Sequence, residues 1–196
     1  MTMKKLLLTL LIAVSGVAFA DDFDDGLAAY GKGNYIQALA KFRLAAAQGR
    51  ASAQVILGLM YSDGQGVAQD YAEAVRWYRL AAAQGLADAQ YNLGFMYSQG
   101  QGVAQDYAEA VRWYRLAAAQ GLASAQLNIG VMYGKGQGVA QDYVRAHLWF
   151  NLAAVKGDAD AVKNRDIVAK RMTSQQIAEA QKLARECQAR NFKNCD

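Results

Sequence analysis

Proline is missing altogether from these 196 residues, and histidine and cysteine nearly so, with one and two copies. Without proline, nothing interrupts a helix by removing a donor or forcing a kink. The single histidine, His147, with two distant cysteines falls short of the four ligands that a structural zinc site usually takes. No second histidine exists, so a Ser-His-Asp or Cys-His arrangement would have to be built around His147 itself. Charge is also modest. The net charge of +4 includes Lys4 and Lys5, which leaves about +2 on the rest of the chain, too little for a dedicated nucleic-acid surface. The one long apolar run, Leu6 to Val17, is shorter than the roughly 20 residues of a spanning helix.

That run has a different reading. Lys4 and Lys5 precede it, and Ala18-Phe19-Ala20 follows it. A positive start, an apolar middle and a small-x-small end make a secretory signal peptide over residues 1–20, cleaved after Ala20. The expected product begins at Asp21 and is periplasmic, with no transmembrane anchor after cleavage and no lipid-bearing cysteine behind the signal. Both cysteines, Cys187 and Cys195, lie in the last ten residues, separated by seven others. In an oxidising compartment an even pair reads as a disulfide, and so short a closed loop is worth about 2–3 kcal/mol. A redox-active pair usually has two intervening residues, so a structural clip is the better reading.

What the chain has in abundance is repetition. GQGVAQDYAEAVRWYRLAAAQGLA stands verbatim at Gly64–Ala87 and again at Gly100–Ala123. A period in this range is the signature of a helical solenoid. Each unit has a first helical segment such as Ala87–Ser98, a Gly-x-Gly joint, and a second helix such as Asp106–Ala119, stopped by Gln-Gly. Asp70, Asp106 and Asp142 suit N-capping of the second helices better than acid–base work. The joints lack the Gly-Lys-Ser/Thr of a phosphate loop. Tyr107, Ala110, Val111, Leu116 and Ala117 form one helical stripe with Trp113 and Tyr114 at its edges. Trp77, Trp113 and Trp149 recur within that stripe and are expected in the core. Ala89 and Gly94 are small enough to let the partner helix approach closely. Near the end, Thr173 and Gln176 fit a capping box.

These residues carry a resemblance. The spacing of Ala, Gly, Met-Tyr, Gly-x-Gly-Val, Asp-Tyr, Trp and Ala-Ala over 51–82, 87–118 and 123–154 resembles the Sel1-like repeat, a relative of the tetratricopeptide repeat. The resemblance implies an all-α, right-handed α-solenoid of antiparallel helix pairs. A tetratricopeptide-like helix pair is expected over 21–48, repeats over 49–84, 85–120 and 121–156, and capping helices with the disulfide over 157–196. It also implies a protein or peptide partner rather than catalysis, with no cofactor and no metal. Relatives with β-lactamase-like behaviour carry a cysteine pair in each repeat, and this chain has none.

The repeats differ in few places. Those starting at Gly49 and Gly85 differ at Arg50/Leu86, Ser52/Asp88, Val55/Tyr91, Ile56/Asn92, Leu59/Phe95 and Asp63/Gln99. The last five pairs fall in an arc of about 100° on the first helix. Ala89, Gln90, Leu93, Gly94, Met96 and Tyr97 occupy the other half. The third copy continues the varied stripe with Ser124, Leu127, Asn128, Val131 and Lys135. Drift would favour polar replacements, yet Val55→Tyr91 and Leu59→Phe95 keep or enlarge apolar area. An apolar strip with a polar rim is what a protein-binding surface presents. The expected partner-binding set is therefore Ser52, Val55, Leu59, Asp88, Tyr91, Asn92, Phe95, Gln99, Ser124, Leu127, Asn128 and Val131. The resemblance places first helices on the concave face of the solenoid. It implies a periplasmic interaction scaffold for envelope assembly or regulation. The alternative is an immunity protein against a secreted antibacterial phospholipase toxin, and an enzyme acting on cell-wall material stands behind both.

Overall fold

The computed structural model describes residues 21–195, so the signal segment expected over 1–20 lies outside them. Ten helices and no strand occur among the described residues. They are α1 (Asp21–Gly31), α2 (Tyr35–Ala47), α3 (Ala51–Asp63), α4 (Tyr71–Ala83), α5 (Ala87–Gln99), α6 (Tyr107–Ala118), α7 (Ala123–Lys135), α8 (Tyr143–Val155), α9 (Ala159–Ala169) and α10 (Ser174–Ala189). They fall into two compact units, one ending at Trp77 and the other running from Tyr78.

In the first unit, α1 and α2 close around Phe42, which is wholly buried. Gly26 makes this possible, because a Cβ there would sit 2.7 Å from the Phe42 ring. Lys41 bridges Asp22 and Asp25 at 2.8 Å each, and Arg50 lies 3.8 Å over the Phe23 ring. Two contacts tie α3 to α2. Buried Gln54 donates to the Ala46 carbonyl at 3.3 Å, and Arg43 donates to the Tyr61 hydroxyl at 2.5 Å.

The second unit repeats those ties one period later. Gln90 and Gln126 donate to Ala82 and Ala118 carbonyls at 3.4 Å, while Arg79 and Arg115 donate to Tyr97 and Tyr133 at 2.9 Å. Each glutamine adds a second donor to an end-of-helix carbonyl that already accepts the amide of the glycine three residues on. Within each pair, an aromatic of the second helix enters a glycine notch in the first. Added Cβ atoms at Gly94 and Gly130 would lie 2.8 Å and 2.6 Å from the Tyr114 and Phe150 rings. Asp106 and Asp142 cap α6 and α8, accepting from Glu109 and Arg145 backbone amides at 3.0 and 2.9 Å. The joint's second glycine is needed for a further reason. A side chain at Gly138, where φ is +70°, would strike the Tyr107 carbonyl, against which the loop rests. Only glycine combines that φ with that proximity.

The chain ends on a different device. Thr173 and Gln176 form the capping box that starts α10. Ala184 and Cys187 of α10 join the core cluster that contains Leu148 and Leu152 of α8. Cys187 and Cys195 are disulfide-bonded, with Cα atoms 5.1 Å apart.

Packing corrects three sequence expectations. Leu116 is 45% exposed rather than part of the buried stripe, and its place is taken by Tyr114, only 1% exposed. Trp77 and Trp113 are half-buried, so of the three tryptophans only Trp149 belongs to the core. The stripe is rotated because the glycine notch draws Tyr114 inward, which turns Leu116 out.

Candidate functional site

The varied positions occupy first helices. In the first unit, Ser52 is exposed, Val55 is half-buried and Leu59 is 39% exposed. In the second, Asp88, Phe95 and Gln99 are exposed, while Tyr91, Asn92, Ser124, Leu127, Asn128 and Val131 are half-buried. The expected strip is thus less open than an unpacked face would be. Tyr91 explains why, since its ring lies 5.8 Å from that of Tyr114. Part of the varied face is bound up with packing.

Four of the expected residues come together. Phe95, Gln99, Asn128 and Val131 line a cavity of about 240 Å³, with Ser98 and Tyr114 beside them. The Ser98 and Tyr114 hydroxyls lie 3.4 Å apart. Burial pushes the Tyr114 phenol up to about 12, although hydrogen bonds from Ser98 and Asn128 favour its ionised form. It is a neutral hydroxyl at physiological pH, suited to binding rather than proton abstraction.

A second cavity of about 230 Å³ shares Val131 and Lys135 with the first. All nine residues lining it stand 36 positions after a residue lining the first. Phe95 becomes Val131, Val131 becomes Ile167, Asn128 becomes Asn164, Tyr114 becomes Phe150, and Lys135 becomes Arg171. The structure has built one site twice. Asp88, Tyr91, Asn92, Ser124 and Leu127 line neither cavity. Ser98, Tyr114, Ile167, Asn164 and Arg171 line one or the other and were missed by sequence reasoning. The signal for the last three was the same period, carried one step further into the degenerate final unit.

Among the described residues no group of three or more His, Cys, Asp or Glu could hold a metal ion. His147 is 3% exposed, and its Nδ1 has no hydrogen-bond partner. Burial holds it below the usual imidazole range, with Arg165 adding to the effect. Among the described residues no helix is long and apolar enough to cross a membrane.

The signature of the Sel1 repeat matches three consecutive stretches, 51–86, 87–122 and 123–158. This chain belongs to the Sel1 repeat family. It is similar to a protective antigen of uropathogenic Escherichia coli strains displaying an SLR fold, with 43% identity, a TM-score of 0.71 and 82% of this chain covered. It spans only 34% of that longer protein. It is also similar to a Sel1 repeat protein from Oxalobacter formigenes, with 33% identity, a TM-score of 0.65, and 83% of this chain and 74% of that one covered. No curated protein matches it. The all-α solenoid of helix pairs is therefore the Sel1 fold. Sel1 repeat proteins generally mediate protein–protein interactions, and their scaffold is typically non-catalytic.

Proposed function

We propose that this Sel1 repeat protein is a periplasmic scaffold that binds a partner protein or peptide on the concave face, along its first helices, in envelope assembly or regulation. The observation that carries this reading is the doubled cavity. Two equivalent sites one repeat apart, each with an apolar wall and a polar rim, suit a partner presenting side chains at regular intervals. Variation between otherwise near-identical repeats is concentrated on the same helices. Export is supported by the signal-like residues 1–20 and by a disulfide of the kind that persists in oxidising compartments.

The test is position-specific photo-crosslinking in living cells. A photoreactive residue at Phe95 should give a defined adduct, whereas one at Leu116, which is similarly exposed, should give none. Adducts at Leu116 and not at Phe95 would move the binding surface to the other face. Mass spectrometry of the exported protein should find Asp21 at its N-terminus, and an intact Met1 in the cytoplasm would remove the periplasmic assignment.

A further inference from the structure

We infer that the paired cavities of the second unit hold an extended acidic peptide segment. An apolar side chain of that segment sits in the cavity lined by Val131, Phe150 and Ile167, and flanking carboxylates pair with Lys135 and Arg171. This rests on the interaction reading above and names the partner's chemistry.

The two cavities are one design displaced by a single repeat, so their differences report what each accepts. Their walls stay apolar, from Phe95 through Val131 to Ile167. The floor changes: Ser98 and Tyr114 of the first cavity become Gly134 and Phe150 of the second. Two hydroxyls are lost, and a polar side chain reaching the Gly134 and Phe150 end of the second cavity would find no partner there, which is costly. The rim changes in the opposite direction, from Gln99 to Lys135 to Arg171. The second cavity is therefore the more apolar at its floor and the more basic at its mouth.

No aspartate or glutamate lines either cavity. Some cations of this unit have acidic partners, as in Arg112 with Glu109 at 2.7 Å and Arg165 with Asp166 at 2.9 Å. Exposed Lys135 makes no ion pair or hydrogen bond among the described residues. Arg171 donates to the Tyr143 hydroxyl at 3.0 Å and lies 5.7 Å over that ring. This orients the guanidinium while leaving other N–H donors for a carboxylate. Half-buried Asn164, likewise without a bond among the described residues, offers a donor and an acceptor that match a peptide backbone. Side-chain-sized cavities one repeat apart favour a polypeptide over a nucleic acid.

The test uses the exported, disulfide-bonded protein and fluorescent peptides of about eight residues, extended enough to span both cavities. One alternates Glu with Leu, and its controls carry Gln or Lys in place of Glu. Fluorescence anisotropy should show the Glu peptide binding at least roughly tenfold tighter than the Gln peptide, with affinity falling as salt rises. Lys135→Glu with Arg171→Glu should abolish that preference, and Ile167→Asn should weaken the Glu and Gln peptides alike. Circular dichroism melts of each variant establish that the fold is kept. Equal binding of Glu and Gln peptides would overturn the acidic assignment, as would oligothymidylate binding as tightly as the Glu peptide, or no peptide binding by about 1 mM. Each of these leaves the Phe95 adduct untouched, whereas absence of that adduct would remove the interaction reading itself.

Discussion

Helices α6 and α8 hold the same place in successive repeats and meet opposite fates. In α6, Arg112 and Leu116 face outward, and Trp113 is half-buried with its indole N–H donating to Glu109 at 2.8 Å. In α8 the matching residues are Leu148, Leu152 and Trp149, exposed by only 1, 1 and 2%. The difference is α10, which packs along α8. A position in a repeat has no fixed environment of its own. The neighbour that covers it decides whether leucine there is core or surface.

Substitutions at matched positions sharpen that contrast. The largest gap is expected at the tryptophans, where Trp149→Ala should cost about 3–5 kcal/mol in urea unfolding. Trp113→Ala should cost clearly less, and equal costs would mean that α10 contributes nothing to burial at this position. Leu152→Ala should cost about 2–5 kcal/mol, against about 0.5 or less for Leu116→Ala. Removing the clip with Cys187→Ser and Cys195→Ser should cost about 2–3 kcal/mol. It should also raise hydrogen exchange in α10 while leaving α6 unchanged. The caps provide the control, because Asp106→Ala and Asp142→Ala should each cost about 1 kcal/mol if the two helix starts are equivalent.

The final contrast is in slope with pH. His147 of α8 stands where α6 has Val111, and burial holds its pKa below the ordinary 6.5. Below that value the unfolded chain binds the proton first, so stability is full above about pH 6.5 and falls as pH drops toward the folded-state pKa. His147→Val should flatten this part of the pH profile in thermal melts. An unchanged profile would assign the slope to other groups.

Much of the fold was legible because the same local rules recur three times. Asp106 and Asp142 cap, Thr173 and Gln176 form their box, and Gly94 admits a partner ring, each from a short-range steric or hydrogen-bonding demand. Gln90 and Gln126 were visible as constant residues, but their task was not, because it is performed on the preceding helix. The candidate site was half legible. Phe95, Gln99, Asn128 and Val131 were found by comparing copies. Ile167, Asn164 and Arg171 were hidden where the repeat pattern decays and the chain reads as a cap.

Sequence alone determined the period, the helix starts and stops, and which helices vary. These follow from residue types within one or two turns, where backbone donors, caps and glycine conformations act. Tertiary structure decided which side of each second helix is buried, because the notch at Gly94 rotates Tyr114 inward and Leu116 out. It decided that Trp149 is core while Trp113 is half-buried, because α10 packs along α8. It also joined residues from three helices into each of two equivalent cavities, since burial and concavity depend on neighbours distant along the chain.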